Sequence, residues 1–190
     1  MIAAGYFGKV LTRGDFVARR LSPGFVLGWD GWLQAGLQHS RQQLGARWLD
    51  MYLSSPIWHF AIAAGLCGDE PVAGVMIPSV DRVGRYFPLT LAGVMEGDGQ
   101  LLPELFERGA GWFDALERLA LGSLADGFSL EDMDASLVSL APDRAPQCAE
   151  ALQGRAVFWT QGSPCVAPSV MVCGELPSPD AYCGMMGGGG

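Results

Sequence analysis

Lysine is almost absent from this sequence, and charged residues of any kind are scarce. The 190 residues include a single lysine, Lys9, and only 17% of them are charged, whereas 49% are hydrophobic. A chain so poor in charge and so rich in apolar side chains does not have the composition of a disordered protein. The net charge of −8 also argues against a general affinity for nucleic acid.

Long apolar segments are missing as well. No run approaches the roughly 18 apolar residues that a membrane-spanning helix needs. The first residues lack the basic and apolar regions of a secretory signal. We therefore expect a cytoplasmic protein that does not insert into a membrane.

Sequence signatures of catalysis and of metal binding are also missing. The five cysteines form no C-x-x-C pair, and His39 and His59 have no cluster of further ligands at metal-binding spacing. The start of the chain, Gly5-Tyr6-Phe7-Gly8-Lys9, lacks the spacing of a phosphate-binding loop. No G-x-S-x-G nucleophile elbow is present. These absences predict a protein without catalytic activity and without a cofactor.

Hydrophobic periodicity predicts an alternation of helices and strands. Helices are expected at 25–44, where Ser22 and Pro23 suit a cap and first turn, and also at 48–53, 101–124 and 130–140. Strands are expected at 3–10, 58–65, 72–78, 86–95, 156–160 and 169–173. A turn at 96–99, a turn of helix at 149–152 and a frayed segment after residue 177 complete the expectation.

This order of elements predicts one domain over residues 1–186, followed by a flexible glycine tail at 187–190. Helices precede and follow a central meander, so helices on both faces of a sheet would bury the many aromatic side chains. We expect a three-layer α/β/α sandwich with a mixed, partly antiparallel sheet. A two-layer α+β domain is the alternative.

Three clusters contain residues that could do chemistry or bind a partner. They are Gly14-Asp15-Phe16, Trp29-Asp30-Gly31-Trp32 with Ser40-Arg41, and the run from Pro78 to Leu89. Each also has a structural interpretation. Asp15 would cap a helix or close a turn, Asp30 would pair with an arginine, and Asp81 would pair with Arg85 across a loop turned by Gly84. A hydrolase triad of Ser79, Asp81 and the distant His59 has no specific support.

Together these clusters resemble the TagF (ImpM) family of type VI secretion-associated proteins. The resemblance is dense over residues 5–95 and thinner beyond. The run Pro-Ser-Val-Asp-Arg-x-Gly-Arg-x-Phe-Pro-Leu is specific. The matching residues that could be structural or binding are Gly14, Asp15, Phe16, Trp29, Asp30, Trp32, Ser40, Arg41, Trp58, Pro78, Ser79, Asp81, Gly84, Arg85, Phe87 and Pro88.

The resemblance implies a cytoplasmic, non-enzymatic protein that represses assembly of the secretion system after translation. Its implied partner is the system's forkhead-associated scaffold protein. The alternative is a small-ligand or hydrolytic site formed by Asp15, Asp81 and Arg85.

Charge is divided unevenly along the chain, which suggests where a partner would bind. Residues 1–90 carry a net +2, and residues 91–190 carry −10, with four Lys/Arg against fourteen Asp/Glu. Surface charge of one sign steers association. We therefore expect the acidic second half to make the contact, including Glu104, Glu107 and Asp114.

Overall fold

The computed structural model describes residues 3–95, 110–140, 152 and 154–188. The strands are β1 (Gly5–Gly8), β2 (Val17–Arg19), β3 (Trp58–Ile62), β4 (Val72–Ile77), β5 (Leu89–Val94), β6 (Ala156–Thr160) and β7 (Ser169–Cys173). The α-helices are α1 (Pro23–Leu44), α2 (Trp48–Leu53), α3 (Ala110–Gly122), α4 (Leu130–Ser139) and α5 (Pro179–Met185).

The seven strands form one sheet in the order β2-β1-β5-β4-β3-β6-β7. Every pair of neighbours in it is antiparallel. The α/β fold and the antiparallel meander β3-β4-β5 are confirmed, but the expectation of a mixed sheet is wrong. Four of the six pairs join consecutive strands, which favours antiparallel pairing. The direction of the other two pairs, β1–β5 and β3–β6, is not visible in the sequence.

Alternate residues of the strands belong to two separate apolar clusters. Along β4, Val75 and Ile77 belong to one cluster, whereas Val72 and Met76 belong to the other. The first cluster includes α3 and α4, and the second includes α1, α2 and α5. The inner strands β3, β4 and β6 are therefore buried on both faces, because successive side chains along a strand point to opposite faces of the sheet.

The helix signals in the sequence are confirmed where the structure describes them. Ser22 caps α1 by accepting a hydrogen bond from the Phe25 amide at 3.2 Å, and Pro23 occupies the first turn. Ser129 caps α4 in the same way, with the Asp132 amide as donor. The predicted strands at 156–160 and 169–173 have the observed bounds.

The strands expected at 3–10, 58–65 and 86–95 are shorter in the structure, where they are β1, β3 and β5. Two further elements differ from the expectation in kind. Residues after 177 were expected to be frayed, but they form α5, which Ser178 caps and Pro179 begins. The short strand β2 was not predicted. The predicted turn at 96–99, the start of the helix predicted at 101–124 and most of the turn at 149–152 lie outside the described residues. At the chain end, the amides of Gly187 and Gly188 donate hydrogen bonds to the carbonyls of Gly184 and Cys183.

Candidate functional site

Asp81 is a buried carboxylate that two cations share. Its Oδ2 atom accepts hydrogen bonds from Lys9 Nζ at 2.6 Å and from Arg85 Nε at 2.7 Å. The side chain of Lys9 is buried too, whereas that of Arg85 is 57% exposed. A buried charge is tolerated when it is paired. The expected Asp81–Arg85 pair is present, and Lys9 joins it from the end of β1.

The backbone of residues 80–86, which we call the Asp81 loop, encloses the other carboxylate oxygen. Asp81 Oδ1 accepts hydrogen bonds from the amides of Val83 at 3.0 Å and Arg85 at 2.9 Å. Gly84 makes the turn possible with a φ of 84°. Burial raises the pKa of Asp81, but the hydrogen bonds from Lys9, Arg85 and Val83 outweigh it and hold the pKa well below its ordinary value. Asp81 is therefore a poor proton acceptor at neutral pH.

Ser79 holds the beginning of this loop against two other segments. Its hydroxyl donates to the Lys9 carbonyl at 2.8 Å. Its amide donates to Tyr52 Oη at 2.9 Å, and the same hydroxyl of Tyr52 donates back to the Ser79 carbonyl at 2.8 Å. Burial raises the pKa of Tyr52, so its hydroxyl remains protonated and able to donate. Ser79 is thus fully used in positioning the loop.

Three phenylalanines lie beside the ion cluster. Phe7, Phe16 and Phe87 contact one another, with ring centres 4.8 to 5.8 Å apart. Lys9 Nζ lies 5.0 Å from the centre of the Phe16 ring, within the range of a cation–π contact. Phe16 is nevertheless 48% exposed. The Gly-Asp-Phe motif therefore contributes an aromatic cover to the buried lysine.

The three residues proposed for a hydrolytic site do not converge. Arg85 Nη2 donates to the Gly14 carbonyl, which ties the two motifs together. Asp15 is exposed, and in the described part of the chain its side chain makes no hydrogen bond or ion pair with Asp81 or Arg85. The expected capping role of Asp15 is also not observed among those residues. The geometry here supports a structural cluster rather than a reaction centre.

The two tryptophans at the start of α1 join the helix to distant segments. Trp29 is fully buried, and its Nε1 atom donates to Thr90 Oγ1 on β5 at 2.9 Å. Trp32 Nε1 donates to the Pro177 carbonyl, before α5, at 2.8 Å. Contrary to the expectation, no arginine among the described residues pairs with Asp30. Its neighbour one helical turn away is Gln34, whose Nε2 atom donates to it at 2.6 Å.

The other motif residues around α1 also have internal partners. Ser40 Oγ accepts a hydrogen bond from Trp48 Nε1 at 3.0 Å, and the Arg41 guanidinium lies 4.3 Å from the centre of the Trp48 ring. Trp58 Nε1 donates to the Met185 carbonyl at 3.0 Å. Together with Pro78 and Pro88 it lines a gap of about 20 Å³. That volume admits about one water molecule, so this gap is no ligand pocket.

His59 lies apart from the residues of the supposed triad. Its Nε2 atom is 3.1 Å from Glu117 on α3, and its ring stacks on Trp159. Burial lowers the pKa of His59, although Glu117 acts in the opposite direction. Ser79 and Asp81 are engaged with Lys9 instead, so no triad of these three residues forms.

An open groove runs along the exposed side of α1 beside the Asp81 loop. Its volume is about 450 Å³. It is lined by Gln34, Leu37, Gln38, Arg41, Gln42, Tyr86 and Phe87. Of the motif residues, Arg41 and Phe87 therefore border this groove, and the exposed Arg41 gives it a positive charge.

Two residues at the Asp81 loop were not among the sequence candidates. Lys9 belongs to the segment Gly5-Tyr6-Phe7-Gly8-Lys9, which lacks the spacing of a phosphate loop and is part of the family resemblance, and its being the single lysine was a signal. Tyr52 was assigned only to a short helix. Both act across long separations, 72 residues from Lys9 to Asp81 and 27 from Tyr52 to Ser79. Pattern analysis of short windows does not detect such pairs.

Comparison with known proteins agrees with this architecture. Residues 5–140 match the family model described as TagF N-terminal domain, type VI secretion system-associated. The crystal structure of PA0076 from Pseudomonas aeruginosa PAO1 is similar over 99% of this chain and 96% of that chain, with 37% identity and a TM-score of 0.89. A comparison with curated protein sequences finds no match.

The matches place the chain among the type VI secretion system-associated proteins. Within that class, the chain belongs to the TagF N-terminal domain family, and the resemblance seen in the sequence is confirmed.

Proposed function

We propose that this protein represses assembly of the type VI secretion system after translation, by binding the system's forkhead-associated scaffold protein in the cytoplasm. The observation that supports a binding role is the state of Asp81. The carboxylate of the most specific motif is buried, ionised and held by four hydrogen bonds. Such a group stabilises a surface loop and is unsuited to proton transfer.

The same observation favours a non-enzymatic protein. Asp15, Asp81 and Arg85 do not form an open site, and the described residues contain no group of three or more His, Cys, Asp or Glu that could hold a metal ion. No helix within the described ranges is long and apolar enough to cross a membrane. The proposal therefore gives the motif residues structural or binding roles and involves no cofactor.

Overproduction in a host with an active secretion system should lower secretion of the system's substrates. The amounts of the component proteins should stay unchanged, because repression by binding acts after synthesis. Secretion is measured from culture supernatants and component amounts from cell extracts by immunoblotting. A second, unrelated secretion pathway in the same strain is the control. Normal type VI secretion despite abundant folded protein would contradict the repressor role.

We further propose that the acidic second half contacts the scaffold. Part of its charge is used internally, since Asp134 pairs with Arg20 at 2.6 Å and Glu131 pairs with Arg13. Asp114 and Asp126 are exposed and are available for a partner. Glu104 and Glu107 lie outside the described residues.

Reversal of Asp114 and Asp126 to lysine should slow association with the scaffold severalfold at low salt. The reason is that opposite surface charges steer two proteins together, and salt screens this attraction. The matched control reverses the exposed Asp50 and Asp69 of the first half, which gives the same change in net charge from −8 to −4. Association rates are measured against ionic strength. Equal rates for the two variants would place the contact elsewhere.

We also propose the three-layer α/β/α arrangement in preference to the two-layer alternative, with residues 1–186 as one domain. The support is that each face of the sheet has its own apolar cluster and its own helices. A crystal structure of the whole chain tests this proposal.

A further inference from the structure

The two edges of the sheet differ sharply in how they are protected against pairing. The edge strand β2 has only three residues, and Arg19 at its end is charged. Arg19 and the adjacent Arg20 pair with Asp134 of α4, at 3.3 and 2.6 Å. Short length and charge are features by which proteins protect an edge strand from pairing with another chain. The β2 edge is therefore blocked.

The opposite edge strand, β7, has none of these features. It is five residues long, Ser-Val-Met-Val-Cys, and contains no proline and no charge. Within the described part of the chain, β7 is hydrogen-bonded to a neighbouring strand only on its β6 side. The uncharged segment is much longer than the strand, since no charged residue occurs between Arg155 and Glu175. The chain has a net charge of −8, so two copies repel each other over much of their surfaces. The β6–β7 hairpin is uncharged, so a second copy could approach it without this repulsion.

The side chains of β7 add an apolar surface to this free edge. Val170 lies opposite Trp159, and Val172 lies opposite Val157, so both valines are on the sheet face of α3 and α4. They are 61% and 47% exposed. Exposed valines on an edge strand with free backbone groups form a template for another strand.

We propose that β7 pairs with β7 of a second copy of this chain, antiparallel about a two-fold axis at Met171. This centre pairs all five residues. It places Ser169 opposite Cys173 of the other copy, and Val170 opposite Val172 of the other copy. Any other centre pairs fewer of the five residues, and a centre nearer the N-terminal end of β7 also brings Pro168, which has no N–H, into the ladder. The four valines then lie together on one face, and aliphatic cross-strand pairs of this kind stabilise sheets.

The pairing would join two seven-stranded sheets into one continuous sheet. A five-residue strand pair is small beside the roughly 1,200 Å² that stable interfaces bury. We therefore expect a reversible dimer whose population depends on protein concentration. The proposal is independent of scaffold binding, because it concerns this chain alone.

Sedimentation of the purified chain tests the dimer directly. The wild type should shift with concentration from 20.2 kDa towards twice that mass. A variant with Val170→Lys and Val172→Lys should raise the dissociation constant by at least about tenfold, because the new lysines would face each other across the two-fold axis. The matched control changes two other exposed valines, Val83→Lys and Val138→Lys, and should dimerise like the wild type.

Disulfide trapping tests the register. In the Ser169→Cys variant, the cysteine at position 169 of one copy should readily form a disulfide with Cys173 of the other copy. Opposite Cα atoms in an antiparallel pair lie about 4.5–5.5 Å apart, which is within the range that a disulfide spans. The control Ser139→Cys, on α4, should give no such link. A link within one chain is excluded, because the two positions are four residues apart on one extended strand. Peptide mapping by mass spectrometry identifies the linked positions.

Three outcomes would overturn the proposal. The first is a wild type that is monomeric at all concentrations with no link between positions 169 and 173. The second is a dimer that the two β7 lysines do not weaken, which would place the interface elsewhere. The third is a monomer whose β7 edge is required for binding the scaffold protein, which would assign the edge to a different partner.

Discussion

Asp81→Asn should lower the melting temperature of this protein by about 10 °C. The variant keeps the size of the side chain but removes the negative charge that Lys9 and Arg85 share. Lys9 is buried and would be left without a carboxylate, whereas Arg85 can turn to solvent. An unpaired buried charge is strongly destabilising. Thermal unfolding followed by circular dichroism measures the effect.

Two comparisons test whether the unpaired Lys9 ammonium causes the lower melting temperature. The exposed pair of Arg13 and Glu131 is the matched control, and Glu131→Gln should change the melting temperature by less than about 3 °C. Adding Lys9→Met to Asp81→Asn should restore part of the lost stability by removing the unpaired ammonium. An unchanged melting temperature in Asp81→Asn would refute the structural role of this carboxylate.

The pH dependence gives an independent measure of the same ion cluster. The pKa of Asp81 is depressed in the fold, so its contribution is complete above the ordinary carboxyl pKa of about 3.9 and is lost as the pH falls below it. The melting temperatures of wild type and Asp81→Asn should therefore converge below about pH 4. If the two melting temperatures differed by the same amount at every pH, the loss of stability in Asp81→Asn would not depend on the ionisation of Asp81.

The sequence predicted elements whose signals are local. The helix α1 has a serine cap and a proline in its first turn, and β6 and β7 are short uncharged runs. In contrast, β2 is three residues long, and its strand conformation depends on pairing with β1, as between Tyr6 and Arg19. The helix α5 had the signals Ser178 and Pro179, but its seven residues gain much of their stability from packing.

The same distinction applies to the Asp81 loop. Asp81 and Arg85 are four residues apart, so their pairing across a turn at Gly84 could be predicted. The ammonium that completes the cluster comes from β1, and no local pattern connects Lys9 with Asp81. For Asp30 we expected an arginine partner from elsewhere in the chain. The observed partner is local, since Asp30 accepts a hydrogen bond from Gln34 one helical turn away.

Gly36→Ala should destabilise the protein by about 2–3 kcal/mol through separation of α1 from α5. A Cβ atom at Gly36 would lie 2.4 to 2.9 Å from three ring atoms of Tyr182. That ring is 97% buried and packs against Trp32, so it has little room to move away. The clash should outweigh the gain of up to about 1 kcal/mol that alanine brings to a helix interior. Chemical denaturation measures the change in the free energy of unfolding.

Gly31 supplies a matched control on the same helix. Apart from its chain neighbours and the backbone of α1 itself, no atom of the described residues lies within 4 Å of a Cβ built there. Gly31→Ala should therefore only improve helix propensity and stabilise the protein by about 0.5–1 kcal/mol. Both substitutions replace a glycine of α1 with alanine, but we expect them to change the free energy of unfolding in opposite directions. Hydrogen exchange gives the location of the effect, since the amides of α5 should lose protection in Gly36→Ala and keep it in Gly31→Ala. If both variants stabilised the protein, the close packing of Tyr182 on Gly36 would be disproved.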